Sequence, residues 1–141
     1  MVRDGELIGD PTEGALVTLA LKAGIDVDAA RAAHPRLAEV PFDSATKVMG
    51  TLPAGGAAAG GERGVVRVEG GPDVLLARCD RLVTSSGDRA LGDDDRAALA
   101  ARVEELAARG LRVLAVAEGW TDAVGDSPAD QFMRTILDGA A

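Results

Sequence analysis

Val65-Val66-Arg67-Val68-Glu69-Gly70-Gly71-Pro72-Asp73-Val74-Leu75-Leu76 contains the switch of period on which the fold turns. Val65, Val66 and Val68 are β-branched and predict a strand. Gly70-Gly71-Pro72 breaks that strand and opens a short helix bearing Val74, Leu75 and Leu76. Upstream, Leu37 and Val40 alternate as a strand entering Pro41-Phe42, and Lys47–Leu52 predicts another. Pro53–Gly64 is almost pure Ala and Gly, which cannot pack a core, so it reads as a loop joining two strands. Downstream, Leu82–Thr84 and Arg89–Leu91 flank the turn Ser85-Ser86-Gly87-Asp88 as a hairpin. Strands therefore meet through hairpin-like connections rather than regular βαβ alternation. The expected fold class is α+β, a mainly antiparallel sheet flanked by helices.

The helices are marked at their ends. Asp10 as N-cap, Pro11 at the first helical position and Glu13 two residues later form a capping box. Leu16, Leu19, Ala20 and Ala23 follow, and Gly24 stops the helix. A second short helix is expected from Asp28 to Ala33, before Pro35. Asp93–Arg109 is the clearest helix: three aspartates fill its first turn, where the macrodipole favours them, and Leu99, Val103 and Leu106 share a face. Gly110 terminates it, and Leu111–Ala117, nearly all apolar, predicts a buried strand. A short strand is expected at Glu6–Ile8, and a last helix after Ser127-Pro128 carrying Phe132, Met133, Ile136 and Leu137.

The 141 residues predict a single domain, 1–141. Apolar residues make up 47 %, much of it alanine, with two Phe, one Trp and no Tyr, so the core must rest on Leu, Val, Ile and Ala. Alanine contributes little apolar area, which predicts modest stability. Fifteen basic against 23 acidic side chains give a net charge of −8. That balance argues against nucleic acid and against docking on an anionic membrane, but not against a small anion such as ATP, which responds to the local field. Cys79 is the single cysteine, so no disulfide forms within the chain. There is no run of roughly 18 apolar residues and no signal-peptide pattern, so no membrane span or secretion is expected of this segment.

Residue chemistry alone is sparse. Neither a Walker A sequence nor GxGxxG is present. His34 has no Cys or His near it in sequence and reads as a helix-end histidine; Cys79 reads as a buried, inert thiol. Asp93-Asp94-Asp95 is explained by its helix N-terminus rather than by a cation, and no metal site or catalytic residue is assigned.

Four segments taken together carry a resemblance. They are Gly9-Asp10-Pro11-Thr12-Glu13, then Pro41-Phe42-Asp43-Ser44 with Lys47 and Met49, then Val68-Glu69-Gly70-Gly71-Pro72-Asp73, and finally Gly110-Leu111-Arg112-Val113-Leu114-Ala115. In order and separation they resemble the nucleotide-binding domain of P-type cation-transporting ATPases of the calcium-pump-like type, over residues 6–118. The resemblance implies a domain that binds ATP and delivers its γ-phosphate to an aspartate elsewhere in the parent chain. It implies that Glu13 accepts a hydrogen bond from the adenine amino group and that Phe42 stacks on adenine. Lys47 would line the pocket, Arg112 would reach the phosphates, and Gly70 and Gly71 would let adenine approach the strand end. The chemistry suits these roles: base–aromatic stacking is worth ~1–3 kcal/mol, and a guanidinium keeps its charge beside phosphate. Glu13 equally serves the capping box.

Glu69 departs from the pattern, since the family usually has a basic residue there, and this predicts a lowered affinity for ATP. The resemblance further implies phosphorylation and actuator domains of the parent as partners, Mg²⁺ bound mainly outside this fragment, and placement on the cytoplasmic side of the cell membrane. Residues 119–141 match less well and are expected to connect toward the phosphorylation domain. No Asp-Lys-Thr-Gly-Thr phosphorylation motif is present, so the fragment by itself is not expected to turn over ATP. A regulatory or protein-interaction domain of the same fold, with a degraded nucleotide pocket, is the alternative, and Glu69 is the feature that favours it.

Overall fold

The computed structural model describes residues 2–3, 6–7, 11–54 and 64–121. The chain divides into two compact units, Met1–Pro35 and Arg36–Ala141. In the first, β1 (Val2–Arg3) and β2 (Glu6–Leu7) pair antiparallel, followed by α1 (Pro11–Lys22) and α2 (Val27–Ala33). Gly24 sits at φ +76° just past α1, and the Ile25 amide reaches back to the Ala20 carbonyl at 3.0 Å. This is the left-handed closure expected of a glycine there. Asp26 caps α2 by accepting from the Ala29 amide at 2.9 Å, so that helix begins one residue earlier than Asp28. His34 closes it. The expected N-cap Asp10 lies outside the described residues, as do residues 55–63 of the Ala/Gly segment and the helix expected after Ser127-Pro128.

The second unit is built on one four-stranded antiparallel sheet of order β3-β4-β5-β8. Its strands are β3 (Arg36–Asp43), β4 (Val48–Pro53), β5 (Gly64–Gly70) and β8 (Ala115–Thr121). Between β5 and β8 come α3 (Pro72–Arg78), the hairpin β6 (Arg81–Thr84) and β7 (Gly87–Ala90), and α4 (Asp93–Ala108). Period-two burial decides the core. Val40, Val48, Leu52 and Val66 point to one face of the sheet, where Leu75 of α3 meets them, and Val48 and Val66 are 0 % and 1 % exposed. Ala38, Val68, Val74, Ala115 and Ala117 fill in around them, so this is the aliphatic, alanine-padded core the composition predicts. The hairpin turns at Ser85-Ser86, with Gly87 at φ +111°.

α4 lies against α3, half-burying Leu99, Val103 and Leu106. Arg96 ties the two helices together. Its guanidinium donates to the Leu76 carbonyl, and to the Cys79 carbonyl at 2.7 Å, two acceptors that the end of α3 leaves without helical partners. Cys79 is half-buried at that end, and burial pushes its thiol pKa up, in keeping with an inert group. Asp95 accepts the Gly92 amide at 3.1 Å and both Arg89 guanidinium nitrogens, at 2.5 and 2.7 Å. The aspartate run therefore starts a helix, as expected.

Two expectations need correction. Leu111–Ala117 is not a buried strand: residues 111–114 form the connection after α4, and β8 starts at Ala115. Because β8 has one face on the core, Ala115 and Ala117 turn inward while Val116 on the other face is 65 % exposed. Likewise β4 starts at Val48, not Lys47, which belongs to the preceding turn. Residues 119–121 are the far half of β8, paired with Val66, Val65 and Gly64.

Candidate functional site

Strand register brings the candidate residues of the second unit to the same end of the sheet. Asp43 pairs with Val48, Val48 with Gly70, and Gly70 with Ala115, which makes a single row across the end of the sheet. Phe42, Lys47, Glu69, Gly71 and the 111–114 segment holding Arg112 all adjoin that row in sequence. Glu13 belongs to the first unit, exposed in the first turn of α1.

Each position has a local cause. Phe42 lies where β3 slips register between Val40 and Asp43, a bulge on an edge strand that also accommodates Pro41. Its ring is 54 % exposed rather than in the core. Asp43 organises the following turn: its carboxylate accepts the Ala45 amide at 2.8 Å and its carbonyl accepts the Lys47 amide at 2.7 Å. The turn closes with Lys47 at φ +59°, a left-handed conformation that costs a non-glycine residue about 1–2 kcal/mol.

That turn rests on the β5–α3 junction. The Lys47 carbonyl accepts the Gly71 amide at 3.0 Å. A Cβ on Gly70 would stand 2.3 Å from the same carbonyl oxygen and 2.9 Å from the Val48 Cα. Gly70 is thus required by the close approach of β4. Gly71 differs: a Cβ there would meet Asp73 Oδ1 at 2.6 Å and the Lys47 Cβ and Cδ at 3.7 Å. The Lys47 ammonium donates to Asp73 Oδ2 at 2.8 Å, and this hydrogen bond, followed by the charge itself, holds the Asp73 carboxyl below its ordinary range.

Glu69 is half-buried on the sheet face opposite the core, between Met49 and Val116. Arg112 is exposed two residues after Gly110, whose φ of +76° ends α4. Asp73 was not singled out from the sequence, although an acid directly after Gly-Gly-Pro is the signal that could have found it. Phe42, Lys47 and Arg112 thus lie at the same end of the sheet, with Phe42 on β3 and Arg112 just before β8. Among the described residues no three of His, Cys, Asp and Glu group as metal ligands, and no helix is long and apolar enough to cross a membrane.

An antiparallel sheet with helices, presenting a glycine pair, a lysine turn and an exposed ring at one end, suits a nucleotide-binding module. Residues 2–132 match the family model for the cytoplasmic domain N of P-type ATPases, and the chain belongs to that family. It is 34 % identical over 143 aligned residues to the probable cation-transporting ATPase F of Mycobacterium tuberculosis, covering 99 % of this chain and 15 % of that protein. It is 36 % identical over 115 residues to calcium-transporting ATPase 1 of Lactococcus lactis, covering 82 % of this chain and 12 % of the relative. The calcium-transporting ATPase of Bacillus subtilis is 34 % identical over 117 residues, with 82 % and 13 % covered. The chain thus spans about a seventh or less of the length of these relatives.

Proposed function

We propose that this chain is the ATP-holding module of a P-type cation-transporting ATPase, presenting the γ-phosphate to an aspartate in the phosphorylation domain of a longer parent. The observation that carries this reading is the row Asp43–Val48–Gly70–Ala115, which gathers Phe42, Lys47, Gly71 and the Arg112 segment at one sheet end in a member of this family. Phe42 offers a stacking face, worth ~1–3 kcal/mol. Lys47 and Arg112 supply positive charge for phosphate oxygens. Bound ATP supplies the transferable phosphoryl group, and Mg²⁺ is held mainly by groups outside this fragment. The parent is the enzyme, a cation translocase on the cytoplasmic side of the cell membrane, with the phosphorylation and actuator domains as partners of this one. A regulatory domain with a degraded pocket is the second reading, favoured by Glu69.

An ATP titration of the 141-residue chain followed by NMR separates the two. The expected result is saturable binding in the millimolar range, about −4 kcal/mol, with shifts at Phe42, Lys47 and Arg112. A folded protein with no saturable change up to tens of millimolar ATP overturns the nucleotide reading.

A further inference from the structure

Lys47 is fixed along its whole length. Asp43 and Gly71 hold its backbone, through hydrogen bonds of 2.7 and 3.0 Å. Its stem passes Gly71, where an added Cβ would meet the Lys47 Cβ and Cδ at an ordinary contact distance of 3.7 Å, and its ammonium ends on Asp73 Oδ2 at 2.8 Å. The two side chains are 55 % and 64 % exposed, so water and a ligand both reach the pair. An ammonium has three donors, of which Asp73 takes one.

We infer that Asp73 is an internal counter-anion that aims the Lys47 ammonium and competes for it with the phosphates of a bound nucleotide. The inference rests on the nucleotide reading above and adds a residue that limits affinity for the anionic part of the ligand, not for its base. The argument is one of charge. Phosphate oxygens approaching Lys47 meet a neutral pair instead of a full cation, and the nearby carboxylate repels them. An aspartate in the first turn of a helix is also favoured by the helix dipole, so the test must separate a local electrostatic role from a merely structural one.

ATP, inorganic tripolyphosphate and adenosine are titrated into the 141-residue chain as wild type, Asp73→Asn, Lys47→Gln and the double variant, at two salt concentrations. Asp73→Ser, which also suits a helix start, serves as a second uncharged variant should the asparagine protein not fold. Removing one like charge a few ångströms from the phosphates in a wet site should tighten ATP and tripolyphosphate about three- to ten-fold at low salt, and less at high salt. Adenosine affinity should stay unchanged, and the gain should be smaller when Lys47 is already Gln, because only the direct repulsion then remains to be relieved. Unchanged or weaker ATP binding by folded Asp73→Asn, an equal effect on adenosine, or an equal gain without Lys47 overturns the inference while leaving the nucleotide reading intact. Absence of ATP and adenosine binding in all four folded proteins removes both.

Discussion

Gly70 and Gly71 are adjacent, yet alanine should affect them very differently. A Cβ on Gly70 meets Lys47 carbonyl oxygen at 2.3 Å and both Cα and Cγ1 of Val48 at 2.9 Å. Those atoms cannot step aside cheaply, because Val48 is completely buried and the carbonyl is engaged by Gly71. Overpacking of this kind costs about 1–3 kcal/mol. Forcing β4 away also strains the Gly71–Lys47 hydrogen bond, worth about 0.5–1.5 kcal/mol net. Gly70→Ala should therefore lose about 2–4 kcal/mol, a large part of a typical domain's stability, and lower Tm by roughly 10 °C. At Gly71 the backbone, φ −60° and ψ 127°, suits any residue, and the Cβ meets the far end of the Asp73 side chain, which can rotate. Gly71→Ala should stay within about 0.5 kcal/mol of wild type. Urea unfolding of the two variants and wild type, with m-values compared, measures both. A Gly70→Ala protein as stable as wild type, or equal losses at the two positions, would refute the packing argument.

Phe42→Ala should weaken ATP binding about ten-fold, because stacking is worth ~1–3 kcal/mol, with little loss of Tm since the ring is exposed; a large Tm loss with unchanged affinity would instead assign the ring to packing. Glu69→Lys should tighten ATP several-fold, most at low salt, as a like charge near 4 Å costs about 1 kcal/mol in water; unchanged affinity for both ATP and adenosine would remove Glu69 from the site. Asp95 has its carboxyl pKa lowered to about 2, first by the Arg89 hydrogen bonds and then by the Gly92 amide. Its folded pKa lies below its unfolded value, so its contribution is present above about pH 4 and lost as pH falls toward 2. Asp95→Asn should flatten that part of a Tm-against-pH curve, and an unchanged slope would discard the assignment.

The helix ends were readable because the residues that make them act locally: Gly24 and Gly110 take the left-handed turn, and Asp95 reaches its own helix start. The one-sided burial of β8 was not, since an apolar run looks the same whether one face or both are covered, and Val116 turns outward because alternate side chains of a strand point to opposite faces. Lys47 was misplaced in a strand because its positive φ is imposed by Asp43 and by Gly71, 24 positions further on. The site residues were recognisable by resemblance rather than by their own chemistry. Their convergence depends on strand register, which brings Gly70 beside both Val48 and Ala115. The Asp73–Lys47 contact spans 26 positions and leaves no periodic trace.

Trp120, the chain's one tryptophan, sits opposite Val65, five residues along β8 from Ala115. At about 3.4 Å per residue that is roughly 17 Å from the row carrying the candidate site. Being 49 % exposed and part of the sheet, its indole changes surroundings when β8 leaves β5. Intrinsic emission is therefore a built-in gauge of sheet melting, seated beyond the reach of a base lying on Phe42. Fluorescence and ligand titration consequently report on opposite ends of the same sheet.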